Sequence, residues 1–128
     1  MLVVDAGVAL HAATGGLRPL GEDELVAPPF MWAEARSALH EAAWRGEVAA
    51  EDARAAFAGL QALPIRTRSP RRLGAEAWNV ADELGWAKTY DAEYLALASL
   101  LGCRFVTLDA RLRRGADRLG FVVSPLEL

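Results

Sequence analysis

Apolar residues along this chain fall into short runs and helical stripes, separated by Gly, Pro and acidic residues. The opening Met-Leu-Val-Val run predicts a short buried strand over 1–4, and Cys-Arg-Phe-Val-Thr-Leu predicts the best strand of the chain over 103–108. A last short strand is expected at 121–124, and Leu-Pro-Ile-Arg-Thr at 63–67 reads as an edge strand, where proline is tolerated at the start. Between them the period lengthens to that of a helix. An apolar helical stretch follows Asp5 and ends at Gly15-Gly16, and residues 21–24 read as a loop or a short helix start. Pro28-Pro29 opens a helix over about 30–45 that Gly46 closes, with Met31, Ala35, Ala38, Leu39 and Ala42 inward. A second helix covers 50–62. Ser69-Pro70 resembles a cap followed by a first-turn proline, so a third helix is expected through about Leu84. Tyr94, Leu97, Ala98 and Leu101 make the inward stripe of a fourth, capped by Gly102, and a fifth is expected over 110–119.

Strands alternating with helices, without repeats or linkers, predict one domain over 1–128: a three-layer α/β/α sandwich around a short, mainly parallel sheet. That architecture gives four acids a common address. In open parallel sheets ligands bind beyond the C-terminal strand ends, where the following helices also begin. Asp5 and Asp109 stand at the ends of the two best strands, and Glu34 and Asp91 near the starts of two helices. Any one of them also suits a helix cap or a first-turn acid favoured by the dipole. Brought together they repel one another unless a cation neutralises them, and oxygen ligands point to Mg2+ or Mn2+. Asp91 is then expected to face Asp5 across a small acidic pocket, with Glu93 pointing elsewhere.

Composition narrows the picture without redirecting it. At 128 residues, 53% hydrophobic and 24% charged, the chain suits a globular domain with one core. No basic leader or long apolar run is readable near Met1, so no membrane span and a cytoplasmic location are expected. The single cysteine, Cys103, excludes an internal disulfide and reads as a small buried hydrophobe. Net charge is −3, but the second half carries Arg clusters at 66–72 and 111–118. Arg111, Arg113 and Arg114 oppose the dipole at the start of their helix, and with Lys88 they are candidates for binding substrate phosphates. His11 and His40 lie within helices and read as structural. The four tryptophans suit packing or partner contacts better than base stacking. A phosphatase on the same sheet type would carry an Asp-x-Asp motif after the first strand; Asp5-Ala6-Gly7 lacks the second acid.

Val3-Val4-Asp5-Ala6, Glu34-Ala35-Arg36-Ser37-Ala38-Leu39, the stretch from Thr89 through Tyr90-Asp91-Ala92-Glu93-Tyr94 to Ala98, and Val106-Thr107-Leu108-Asp109-Ala110-Arg111-Leu112 together resemble the PIN-domain ribonucleases, and among these the VapC toxins of type II toxin–antitoxin systems. The resemblance spans essentially the whole chain. It implies a PIN-like fold, Mg2+- or Mn2+-dependent endonucleolytic cleavage of RNA, a homodimer and neutralisation by a VapB-type antitoxin. Asp5, Glu34, Asp91 and Asp109 match the family's acidic quartet, and Thr107 a frequent polar neighbour of the metal site. Gly7 departs from it, standing where many relatives carry Ser. The alternative is a PIN-like module that binds RNA or protein with little catalysis.

Overall fold

The computed structural model describes residues 1–16, 20 and 23–128. Five three- or two-residue strands, β1 (Leu2–Val4), β2 (Leu25–Ala27), β3 (Ile65–Thr67), β4 (Arg104–Val106) and β5 (Val122–Val123), form one sheet in the order β3-β2-β1-β4-β5. Every pairing is parallel, and at the centre Val3 of β1 lies between Val26 of β2 and Phe105 of β4. Such strands are covered on both faces and read as unbroken apolar runs rather than alternation; β1 and β2 are buried throughout.

Helices α1 (Ala6–Ala13), α2 (Phe30–Trp44) and α3 (Ala50–Ala62) pack on one another, while α4 (Leu73–Leu84) packs on α5 (Tyr90–Leu101), which also lies against β1 and β4. The chain steps outward from β1 to β3 and then returns across the sheet to β4. Right-handed crossovers in opposite directions place the two helix groups on opposite faces. The result is the expected three-layer sandwich. Its order reverses between β1 and β4, which is where an open parallel sheet leaves a crevice. Helix α6 (Ala110–Gly115) links β4 to β5.

Several boundaries differ from the sequence reading. β2 is an interior strand where none was expected. Helix α4 begins at Leu73, after a turn in which the Leu73 amide donates to the Pro70 carbonyl; Arg72 precedes it with no side-chain cap, so Ser69 does not play that part. The helix expected over 110–119 ends at Gly115 and is continued by a 3-10 turn at Asp117–Leu119. On α2 only Met31 and Ala35 are buried; Ala38 is exposed and borders a cavity at the strand ends, Leu39 faces a depression it shares with Ala53 and Phe57 of α3, and Ala42 is half-buried. Cys103 is only half-buried. The loop expected at 21–24 includes Gly21 and Glu22, which lie outside the described residues. No helix among the described residues is long and apolar enough to cross a membrane.

Candidate active site

The C-terminal ends of β1 and β4 are tied together by one hydroxyl. Asp5 follows β1 and caps α1, its Oδ1 accepting from the Val8 amide at 2.9 Å. Its Oδ2 accepts from Thr107 Oγ1 at 2.6 Å, and the same hydroxyl accepts the Asp109 amide at 3.0 Å. Asp109 caps α6, its Oδ1 taking the amides of Arg111 and Leu112 at 2.9 and 3.1 Å. Asp5 and Thr107, 8% and 1% exposed, are the buried polar side chains among the described residues. Thr107 thus holds both strand-end carboxylates in one frame.

Glu34 and Asp91 come from the helices. Glu34 sits in the second turn of α2, half-buried, and its Oε1 accepts from Tyr94 Oη at 2.6 Å. Tyr94 is buried on α5 and its ring stacks on Phe105 of β4 with centroids 5.5 Å apart. Asp91 lies in the first turn of α5 but does not cap it: Thr89 holds the cap position, and among the described residues no hydrogen bond reaches the Asp91 carboxylate. The capping account of Asp91 therefore fails.

All four carboxylates line one cavity of about 270 Å3, together with Ala6, Gly7, Leu10 and Tyr94. Glu93 lines a different depression, with Phe30 and Arg71. The acids feel one another. Burial pushes the Asp5 carboxyl up to about 6; the Thr107 and Val8 hydrogen bonds oppose that rise, and the charges of Glu34 and Asp91 add to it. Asp91 is raised by burial and then by Asp109. Tyr94 is held far above the ordinary phenol range by burial and by its bond to Glu34. No basic side chain among the described residues lies within salt-bridge distance of any of the four acids.

Hard oxygen donors of like charge without a protein counter-charge are the donor chemistry of a hard divalent cation. The arrangement is open: among the described residues no three His, Cys, Asp or Glu side chains stand close enough to share one ion. The quartet lines one chamber without closing on a single point. Mg2+ is commonly held through one or two carboxylates and completed by water and substrate oxygens, which suits such a wall. Gly7 leaves room beside it, since a Cβ there would stand 3.5 Å from Asp5 Oδ1, an ordinary contact.

The cavity continues into a groove of about 720 Å3 that shares Glu34, Asp91 and Asp109 and is rimmed by Trp86, Lys88, Tyr90 and Arg111. Lys88 and Arg111 are thus brought to the site. Arg113 is not: its guanidinium meets Glu127 through two bonds of 2.6 and 2.7 Å, with Asp117 at 3.9 Å. Arg114 is exposed and lines neither space. His11 and His40 are exposed and lie outside the acid cavity. Trp44 and Trp78 are exposed rather than packed, and Trp32 donates to Thr67 Oγ1 at 2.8 Å. Tyr90, an aromatic at the groove mouth, is the side chain that periodicity passed over, because its position on the helix stripe carries no signal of exposure.

Sheet order and acid chamber together define a doubly wound α/β protein with an acid-lined pocket at its switch point. The PIN domain family matches residues 2–118. VapC ribonuclease Mb0985 of Mycobacterium bovis and Ribonuclease VapC9 of Mycobacterium tuberculosis are each 35% identical to the chain over 115 residues, 88% of its length and 88% of theirs. The crystal structure of PAE2754 from Pyrobaculum aerophilum is similar with a TM-score of 0.75, covering 98% of this chain and 91% of that one at 25% identity. The chain belongs to the PIN-domain family, and the two mycobacterial relatives it resembles are named as VapC ribonucleases.

Proposed function

We propose that the chain is a VapC-type endoribonuclease that hydrolyses RNA phosphodiester bonds with Mg2+ or Mn2+ bound in the chamber that Asp5, Glu34, Asp91 and Asp109 wall, on one or two of these carboxylates at a time. The observation that carries this reading is a chamber walled by four carboxylates that no basic side chain among the described residues neutralises. Bound there, a divalent cation supplies an activated water, charge neutralisation on the phosphate and stabilisation of the leaving oxygen. The chain's own residues do the rest. Thr107 fixes the orientation of the Asp5 carboxylate, and its acceptance of the Asp109 amide keeps the second strand-end acid in register. Tyr94 holds Glu34 toward the chamber. Lys88 and Arg111 flank the scissile phosphate and hold its neighbours. The reaction breaks one bond from phosphorus to a ribose oxygen and forms one to the oxygen of water.

The same reading makes the protein a single-domain toxin, a homodimer acting in the cytoplasm on RNA and neutralised by a VapB-type antitoxin. Cleavage of cellular RNA is measured with Mg2+ or Mn2+ for the parent chain and for Asp5→Asn and Asp91→Asn. Both variants lose on the order of a hundredfold or more in rate, the scale of removing a transition-state charge partner. Undiminished cleavage overturns the proposal, and RNA binding without cleavage under either metal supports a binding module in its place.

A further inference from the structure

The groove rim carries a feature that cation binding does not use. Tyr90 is 62% exposed, among the largest apolar surfaces the chain leaves in water, yet it lines the same groove as three of the carboxylates. A tyrosine there neutralises no charge and fills no core. Its ring is not loose: it lies 5.7 Å from the Phe30 ring, which lies 5.0 Å from Tyr94, which stacks on Phe105. A run of four aromatics leads from the sheet to the groove mouth, the first three braced and the last presented to solvent. Trp86 stands in the same groove wall, its indole covering Gly115 at the end of α6. Lys88, between the two in sequence, and Arg111 bring positive charge to the same rim.

Interleaved aromatics and cations along a groove match single-stranded nucleic acid, in which bases stack on aromatic faces while phosphates meet Lys and Arg. A paired base has no free face to offer, so the strand must be unpaired there. We propose that Tyr90, with Trp86 beside it, is a stacking subsite for one unpaired base of the RNA, adjacent to the bond that is cut. The inference rests on the ribonuclease reading and deepens it: the base on Tyr90 adds affinity without hydrogen-bond readout of its identity.

The test uses the full chain in the Asp5→Asn background with Mg2+ present, and measures binding of a fluorescein-labelled oligoadenylate by anisotropy. An abasic ribose-phosphate oligomer of the same length and charge is the second probe. Tyr90→Leu keeps an apolar contact for Phe30 but removes the π face; it weakens oligoadenylate binding about tenfold, within the span measured for one stacked base, and leaves the abasic oligomer unaffected. Tyr90→Trp retains affinity for both probes. Equal binding of oligoadenylate by Tyr90→Leu and its parent overturns the inference, as does an equal loss for both probes, which marks Tyr90 as a packing residue. If neither the Asp5→Asn chain nor the unsubstituted chain binds oligoadenylate, the ribonuclease reading itself fails, a result distinct from either of these.

Discussion

Replacing Asp5 with Asn separates two accounts of the strand-end acid, because they differ in the sign of a stability change. If the carboxylate serves the fold, as a helix cap bonded to Val8 and Thr107, its neutralisation weakens the protein. If it is there to meet a cation, the metal-free fold carries an ionised group it would be better without. A rise from the ordinary 3.8 to about 6 corresponds to about 3 kcal/mol against the ionised form above pH 7. The folded pKa is the raised one, so this carboxyl's favourable contribution is fully present below its unfolded value and lost as pH climbs through about 6. The amide keeps the Val8 bond at Oδ1 and turns its NH2 toward Thr107 Oγ1, whose proton must then find another acceptor. Its own burial costs about 1 kcal/mol. The net for Asp5→Asn at pH 8 in chelator is therefore a gain of about 1–2 kcal/mol, or roughly 3–8 °C in Tm for a chain of this size. Thermal unfolding is followed by circular dichroism in EDTA at pH 5 and pH 8. The variant is expected to lose the parent's fall in Tm between the two. Added Mg2+ or Mn2+ reverses the order: at a hundred times Kd the parent gains about 2.7 kcal/mol and the variant little. A variant less stable than its parent at pH 8 without metal, by more than about 1 kcal/mol, refutes this reasoning and returns Asp5 to a structural role.

Further substitutions separate the residues that hold the chamber or its rim from one that does not. Tyr94→Phe removes only the hydroxyl that reaches Glu34, so stability changes by about 1 kcal/mol while the Mg2+ concentration for half-maximal cleavage rises; isothermal titration with the metal alone should show the same weakening. Thr107→Val leaves the Asp109 amide without its acceptor and Asp5 without its donor, costing about 1–3 kcal/mol and most of the activity, and Thr107→Ser restores both, as urea unfolding and RNA cleavage will register. Arg113→Gln is expected to leave RNA cleavage unchanged and to reduce acid resistance: Glu127, drawn down to about 2 chiefly by Arg113, contributes stability present above the ordinary glutamate range and lost as pH falls through about 2. Arg111→Gln and Lys88→Gln, by contrast, each weaken RNA binding and reduce its log-log salt slope by about 0.7.

The four acids were legible because their common position follows from topology rather than from side-chain detail. Once two strands end in Asp and helices alternate between them, the strand-end rule places Asp5 and Asp109 without knowledge of a single contact. Strand β2 was not legible in the same way. Leu25-Val26-Ala27 is buried throughout, so it lacks alternation, and it is too short to stand out before Pro28-Pro29. The stripe of α2 failed for a different reason: Ala38, Leu39 and Ala42 keep helical spacing, but Ala38 borders the open acid chamber and Leu39 a depression against α3, and periodicity cannot tell a packed partner from a cavity. What distinguishes Arg111 from Arg113 is equally hidden, since it depends on Glu127 folding back across α6 from fourteen residues away. The Tyr94–Glu34 bond joins residues sixty apart; its spacing offers no clue.

The two halves of the chamber are built differently and yet refer to one strand. Asp5 and Asp109 stand on backbone frames, each bonded to the amides of the helix it caps, and Thr107 couples them at the end of β4. Glu34 belongs to helix α2, and among the described residues no backbone amide holds its carboxylate. Its restraint comes from Tyr94, and Tyr94 in turn lies flat on Phe105, two residues before Thr107. Both routes therefore end on β4, buried between β1 and β5. Fixing like charges near one another is costly, and the cost is tolerable only where the frame is stiffer than the repulsion it resists. A central strand in a parallel sheet, packed on both faces, is the stiffest element this fold offers.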